Sequence, residues 1–196
     1  MKTIELKVGE YVQQQSVSCL AASALIGLNY IDSPKWPLTP EKERALIENI
    51  QFDAEHPFGC YPKLIDFLAS QGYKVTFLLG SVPKERDSEE RRLYDIWMEY
   101  YNRINSPERD ISIKFVRRAE VLPVIEEVIN EKKVPIIFYS ARRWHNLVLH
   151  GKLNQNEYHV FDPASGRKVF NYTLLQKNML SPWGINAIYI ENGTRK

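Results

Sequence analysis

Residues 145–166, HNLVLHGKLNQNEYHVFDPASG, contain the pattern that decides the fold. Two runs rich in β-branched and aromatic residues are separated by turn-forming residues at 151 and 154–156. This arrangement predicts a β-hairpin in which a strand that begins at His145 pairs with a strand that ends at Asp162. Because the strands of a hairpin are adjacent, we expect the Asp162 carboxylate to lie beside the His145 imidazole.

The rest of the chain changes its periodicity part-way along. Helical spacing and capping residues predict helices at 19–30, 40–50, 63–71, 89–102 and 119–131. Runs of β-branched and aromatic residues predict strands at 74–79 and 111–116, and then at 134–139, 145–150, 158–161, 168–172 and 185–189. A mostly helical first half followed by a series of strands is the order of an α+β fold and not of an alternating βαβ fold.

The composition is that of a globular protein with a hydrophobic core. The 196 residues are 44% hydrophobic and 26% charged, which excludes a disordered chain and suits a single domain over residues 1–196. The 26 basic and 24 acidic side chains leave a net charge of +2, so the bulk charge gives no reason to expect nucleic acid or an anionic membrane as a partner. Two cysteines without a CxxC pair exclude a disulfide-dense scaffold and a cysteine-rich zinc site.

The hydrophobic segments are too short to span a membrane. The longest apolar run, CLAASALIGL at 19–28, is about half the roughly 20 residues that a membrane-spanning helix needs. Charges at Glu5, Lys7 and Glu10 interrupt the N-terminal segment, which therefore lacks the features of a secretory signal peptide. We expect a cytoplasmic protein, in which a free thiol stays reduced.

Cys19 lies where the first predicted helix begins. The unpaired N–H groups and the dipole at a helix N-terminus stabilise a thiolate, which is the nucleophilic form of cysteine. Gln13 precedes Cys19 by six residues, and its side-chain amide can donate to a developing oxyanion together with the Cys19 backbone N–H. With His145 to exchange protons and Asp162 to orient the imidazole, these residues have the chemistry that thiol catalysis requires.

These residues, in this order and spacing, resemble the papain-like cysteine peptidases of the C39 type, which trim double-glycine leader peptides for bacteriocin exporters. That family has a glutamine six residues before the nucleophilic cysteine and, far downstream, a histidine on a strand followed by an Asp-Pro. Here Gln13 and Cys19 are six residues apart, and His145 and Asp162 are 17 residues apart within the blocks HNLVLHG and VFDPASG. The segment YPKLIDFLASQGYKV at 61–75 is similar to the family's middle helix and following strand.

The resemblance implies a papain-like α+β fold, with a helical lobe at about 10–132 packed on an antiparallel sheet from about 133–192. It implies a cysteine peptidase that acts on a peptide or small amide through Cys19, His145 and Asp162, with Gln13 in the oxyanion hole and without a cofactor. Two alternatives stay open. One is an acyltransferase on the same fold, and the other is a catalytically inactive papain-like domain that binds a peptide.

Leu20 departs from the family, which has glycine after the nucleophilic cysteine. As a candidate substrate-binding residue, this leucine either narrows the approach to the oxyanion hole or points into the core. It is the feature that keeps the inactive alternative open. Arg143 and Trp144, directly before His145, are candidate substrate contacts at the cleft rim, and a solvated loop is the alternative interpretation.

Other residues with reactive side chains have simpler interpretations. Cys60 follows Gly59 without a histidine strand of its own, which favours a structural role. His150 and His159 lie on adjacent predicted strands, but no carboxylate or thiol is spaced to complete a site, so we expect no bound metal. No pattern in the sequence indicates an oligomeric state.

Overall fold

The computed structural model describes residues 3–51, 60–80, 95, 98–117, 120–139, 145–179 and 186–193. Its helices are Cys19–Ile31 (α1), Pro40–Ile50 (α2), Tyr61–Ser70 (α3), Val121–Asn130 and Tyr172–Asn178, with a further helical segment at 98–104 and a 3₁₀ turn at Pro107–Arg109. Its strands are Ile4–Glu5 (β1), Tyr73–Gly80 (β2), Ile111–Val116 (β3), Pro135–Tyr139 (β4), His145–Lys152 (β5), Glu157–Asp162 (β6), Gly166–Asn171 (β7) and Asn186–Asn192 (β8).

The strands form one sheet in the order β3-β2-β8-β4-β5-β6-β7, and the short β1 pairs with β5. β2 and β3 are parallel, whereas the other neighbouring pairs in the described chain are antiparallel. The predicted α+β fold class is confirmed. The sheet is not confined to the C-terminal half, however, because β2 and β3 extend it beyond β8. Strand order depends on pairing between residues far apart in the chain, which local periodicity does not reveal.

The helix that carries Cys19 is buried along most of its length. In α1, all the residues from 20 to 28 are buried, and the helix packs between α2 and the strands β4, β5 and β8. Small side chains allow this close packing: a Cβ atom at Gly27 would come within 3.6 Å of the Ile136 side chain. A helix that is apolar on all sides is typical of a core position. Within the described part of the chain, neither α1 nor any other helix combines the length and the apolar character of a membrane span.

Several element boundaries differ from the predicted ones by a residue or a few, and residue 172 is in a helix where a strand was predicted. The predicted strand at 168–172 ends at Asn171, whose side chain accepts a hydrogen bond from the Leu174 N–H (2.7 Å) and caps the helix Tyr172–Asn178. Asparagine is among the preferred N-cap residues, so the cap ends the strand and starts the helix. The predicted helix at 89–102 is helical where it is described, at Asp95 and from 98 onward, and the rest of it lies outside the described residues.

His150 on β5 is a buried histidine whose two ring nitrogens have no hydrogen-bond partner among the described residues. Burial, together with the nearby charge of Arg167, lowers the pKa of His150 from 6.5 to about 4. At pH 5 the unfolded chain therefore binds a proton that the folded chain excludes, and this difference favours unfolding. Because each pKa unit corresponds to about 1.4 kcal/mol, His150 is expected to reduce the free energy of unfolding by about 2 kcal/mol between pH 7 and pH 5.

Replacing His150 with phenylalanine is expected to remove this component of the pH dependence. Denaturant titrations give the free energy of unfolding of each protein at pH 7 and at pH 5. The change between the two pH values is then compared between the wild type and the variant. Between pH 7 and pH 5, the free energy of unfolding of the variant should fall by about 2 kcal/mol less than that of the wild type. Carboxylates that titrate in the same range are present in both proteins and cancel. Parallel stability curves would contradict the prediction.

Candidate active site

Cys19 is the first residue of α1, and it is partly exposed. Ser18 occupies the N-cap position, but its side chain makes no capping hydrogen bond. Its hydroxyl instead hydrogen-bonds to the Glu43 carboxylate and lies 2.8 Å from the Gln15 carbonyl oxygen. The N-terminus of α1 thus keeps the partial positive charge that favours a thiolate.

His145 and Asp162 meet at the end of the hairpin. His145 is the first residue of β5, Asp162 is the last residue of β6, and His145 Nε2 lies 2.7 Å from Asp162 Oδ1. The turn after β6 and the strand β7 also hold this carboxylate, which accepts hydrogen bonds from the Ala164 N–H (2.8 Å) and the Ser165 hydroxyl (2.6 Å) of the turn and from Lys168 Nζ (2.7 Å) of β7. Asp162 therefore opens the turn and contacts the imidazole at the same time.

These contacts stabilise the charged forms of both side chains. Burial raises the pKa of Asp162, but hydrogen bonds from His145, Lys168 and Ser165 outweigh it and hold the pKa well below its usual range. Burial lowers the pKa of His145, but the hydrogen bonds and charges of Asp162 and Cys19 outweigh it and raise the pKa to about 9. At neutral pH the imidazole is therefore protonated and the carboxyl group is ionised.

The thiol of Cys19 interacts with the same imidazole. Burial raises the pKa of Cys19, but hydrogen bonds with His145 and Asn146 and the charge on His145 outweigh it, so the net shift is downward. Since Nε2 of His145 faces Asp162, Nδ1 is the ring nitrogen left for the thiol. This arrangement favours a thiolate–imidazolium pair.

Asn146, which the sequence analysis did not single out, is a second polar neighbour of the thiol. It directly follows His145 on β5, is 7% exposed, and has its Nδ2 atom 3.5 Å from Cys19 Sγ. Its Oδ1 atom accepts a hydrogen bond from the hydroxyl of Tyr61, the first residue of α3. The signal in the sequence is an asparagine inside the apolar strand HNLVLHG, because a buried amide requires polar partners.

Gln13 lies on the segment that leads into α1. Its Nε2 atom donates to the Gln15 carbonyl oxygen (2.6 Å), and its Oε1 atom is buried without a hydrogen-bond partner among the described residues. Its backbone N–H donates to the Pro163 carbonyl oxygen (2.9 Å), which ties this segment to the turn after Asp162. A primary amide has two N–H donors, so one remains after the bond to Gln15. The role of Gln13 in an oxyanion hole stays a prediction.

Glu43 holds the segment that precedes the thiol. This α2 residue is only 1% exposed and accepts hydrogen bonds from the Tyr11 hydroxyl (2.8 Å), the Gln14 N–H (3.0 Å) and the Ser18 hydroxyl. Its three donors all belong to the stretch of chain just before Cys19. A buried carboxylate therefore anchors the approach to the N-terminus of α1.

The sequence contains a signal for Glu43 that the sequence analysis missed. Glu43 shares a helix face with Leu46 and Ile50, and these are the buried residues of α2. A carboxylate on the apolar face of an amphipathic helix is stable there only with hydrogen-bond partners. The partners lie on another segment, so the spacing alone did not identify them.

Leu20, predicted to contact substrate or to point into the core, is 2% exposed and belongs to the hydrophobic core. A side chain with so little exposed surface has almost none to offer a substrate, so the structure supports the core position. The other two candidate substrate contacts, Arg143 and Trp144, lie outside the described residues.

Cys60 and the histidine pair have the surroundings of structural residues. Cys60 is 1% exposed, and burial raises the pKa of its thiol to about 11. The rings of His150 and His159 stack with their centroids 5.7 Å apart. Among the described residues, no group of three or more histidine, cysteine, aspartate or glutamate side chains is arranged to hold a metal ion.

Comparison with solved structures finds the same architecture in a known protein. A double-glycine-motif protease from an AMS/PCAT transporter, solved in complex with a leader peptide, matches with a TM-score of 0.55. The match covers 98% of this chain and 99% of that chain, at 13% sequence identity. The fold is that of a papain-like C39 protease. No protein-family model and no curated protein matches the sequence.

Proposed function

We propose that this protein is a C39-like cysteine peptidase, with Cys19 as the nucleophile, His145 as the acid and base, and Asp162 as the residue that orients the imidazole. The proposal depends on one observation, the two contacts of the His145 imidazole. On one side the ring contacts the Cys19 thiol at a helix N-terminus, and on the other side it lies 2.7 Å from the Asp162 carboxylate. The fold supports a peptide as the substrate, because the matching structure is a protease in complex with a leader peptide.

Acylation starts from the thiolate–imidazolium pair. The Cys19 thiolate attacks the carbonyl carbon of the scissile bond, and the carbonyl oxygen becomes an oxyanion. The Cys19 backbone N–H and the remaining amide N–H of Gln13 donate to this oxyanion. His145 then gives its proton to the leaving amine, and a thioester on Cys19 remains.

Deacylation uses the same groups in reverse. Neutral His145 takes a proton from water, and the hydroxide attacks the thioester carbon. Collapse of the second oxyanion releases the carboxylic acid and restores the thiolate beside a protonated imidazole. Asp162 holds the imidazole through Nε2 in both half-reactions, which keeps Nδ1 directed at the reacting atoms.

The pH dependence of thiol alkylation tests this proposal. Iodoacetamide labelling is measured across pH 4 to pH 10, and peptide mass spectrometry reads Cys19 and Cys60 separately. The midpoint for Cys19 should lie below the ordinary thiol value of 9.0, whereas Cys60, whose pKa is raised by burial to about 11, should show no midpoint within this range. Peptidase activity should rise as Cys19 ionises and fall above about pH 9, where His145 loses the proton that the leaving group needs.

Replacing His145 with alanine provides the matched variant. Without the imidazolium charge, the Cys19 midpoint should move upward while the labelling of Cys60 stays slow across the whole range. If Cys19 in the wild-type protein titrates like an ordinary thiol, the thiol is not activated, and the peptide-binding alternative without catalysis replaces the proposal.

A further inference from the structure

Two residues outside the proposed Cys19, His145 and Asp162 machinery connect to the thiol through a chain of hydrogen bonds. Tyr61 at the start of α3 donates to Asn146 Oδ1, and Asn146 Nδ2 lies 3.5 Å from Cys19 Sγ. Tyr61 and Asn146 are buried, at 2% and 7% exposure. A buried amide and a buried phenol require partners, and here the last partner in the chain is the reactive sulfur.

The direction of the Asn146 amide follows from its two neighbours. Burial and the nearby Cys19 charge raise the pKa of Tyr61 well above its usual value, so its hydroxyl keeps its proton and can donate. An amide oxygen accepts that proton, which leaves the NH₂ group on the side of the sulfur. The opposite orientation would place the carbonyl oxygen against a thiolate and would be repulsive.

The backbone of the same residue adds to this effect. The Asn146 main chain as well as its side chain lowers the pKa of the Cys19 thiol. We propose that Asn146 is a second catalytic hydrogen-bond donor to the Cys19 thiolate, beside His145, and that Tyr61 is the positioning residue that directs its amide. This inference rests on the proposed function, since it assigns a role toward the same nucleophile.

The role predicts a particular pH signature. A donor to the thiolate lowers the pKa of Cys19 but also reduces the nucleophilicity of the thiolate that forms. Loss of the donor should therefore slow alkylation at low pH, where the ionised fraction decides the rate, and should not slow it at high pH. Damage to the fold or to access would change the rate at all pH values.

The test is the alkylation titration repeated on Asn146→Leu, which keeps the shape of the side chain and removes its donors. Because a hydrogen bond to a charged group is strong, its loss should raise the Cys19 midpoint by about one pH unit. At a pH below the midpoints of the wild type and the variant, the variant should then contain about tenfold less thiolate. In Tyr61→Phe the Asn146 amide is still present, but no hydroxyl holds its orientation. The Cys19 midpoint should therefore rise by a smaller amount than in Asn146→Leu. The double variant should match Asn146→Leu in the Cys19 midpoint, because Tyr61 acts on the thiol through the amide that both variants lack.

Tyr101→Phe is the matched control for Tyr61→Phe. Both tyrosines are 2% exposed and pack against Phe77, but the Tyr101 hydroxyl has no hydrogen-bond partner among the described residues. Its loss should leave the Cys19 midpoint unchanged. If Asn146→Leu does not fold, the pair Tyr61→Phe and Tyr101→Phe decides the question.

The outcomes separate this inference from the proposed function. If His145→Ala raises the Cys19 midpoint while Asn146→Leu and Tyr61→Phe leave it at the wild-type value, Asn146 does not stabilise the thiolate and the proposed function stands. A uniform loss of rate at all pH values in Asn146→Leu and Tyr61→Phe would overturn the inference as well, because it would indicate a structural role. If the wild-type Cys19 is itself not activated, the inference and the proposed function are both overturned.

Discussion

Replacing Cys19 with alanine is expected to abolish peptide cleavage and the formation of a covalent acyl-enzyme. Alanine has no nucleophile, and His145 and Asp162 have no attacking atom to activate without the sulfur. Removal of the nucleophile from such a group of residues reduces the rate by at least about a thousandfold. Because Cys19 is partly exposed at a helix end and alanine is a good helix former, stability should change by less than about 1 kcal/mol.

Two measurements check this result: cleavage of a peptide substrate, and the mass of the protein after mixing with an activated acyl donor. The matched control is Cys60→Ala, which removes the other, buried thiol and should keep both activity and the acyl adduct. Full activity in Cys19→Ala would show that another group is the nucleophile. Loss of activity in both variants would point to a general effect on folding.

Replacing Glu43 with alanine is expected to produce the largest loss of stability among the variants considered. The change leaves two donors without their acceptor, the Tyr11 hydroxyl and the Gln14 N–H, while the Ser18 hydroxyl can still donate to the Gln15 carbonyl oxygen. An unsatisfied buried donor destabilises a fold by about 1 to 3 kcal/mol, so the loss of the acceptor for two donors should lower the free energy of unfolding by about 2 to 5 kcal/mol. Because these donors lie on the segment leading to Cys19, the thiol should also lose part of its activation.

Denaturant titration and the alkylation midpoint of Cys19 measure the two effects separately. Glu48 is an exposed glutamate on the same helix, and Glu48→Ala should change stability by no more than about 0.5 kcal/mol. Glu43→Gln keeps one acceptor oxygen and should lie between the wild type and Glu43→Ala in stability. A Glu43→Ala protein with wild-type stability would show that water replaces the carboxylate at this position.

The parts of the candidate site that the sequence predicted are those that depend on local structure. The hairpin brings Asp162 to His145 because β5 and β6 are adjacent in the chain and the turn between them is short. Cys19 lies at a helix N-terminus because small and apolar residues with helical propensity follow it. The catalytic roles assigned to these residues stay predictions until the thiol titration is done.

The residues that the sequence analysis missed depend on contacts between distant segments. Tyr61 and Asn146 are 85 residues apart, and Asn146 and Cys19 are 127 residues apart. Tyr61 is an ordinary tyrosine before a proline in its own segment, and the asparagine inside an apolar strand indicates a buried amide but does not identify its partners. Their connection exists only after α1, α3 and β5 have packed together.

The sequence by itself determined the α+β class, the hairpin, and the helix start that carries Cys19. Propensity, capping and alternation act over a few residues, so these features can be recognised without the fold. The tertiary structure alone decided that Leu20 points into the core, that Glu43 anchors the segment before Cys19, and that Asn146 faces the sulfur. These outcomes depend on which buried polar groups find partners across the packed interior, and that is a property of the assembled fold and not of any one segment.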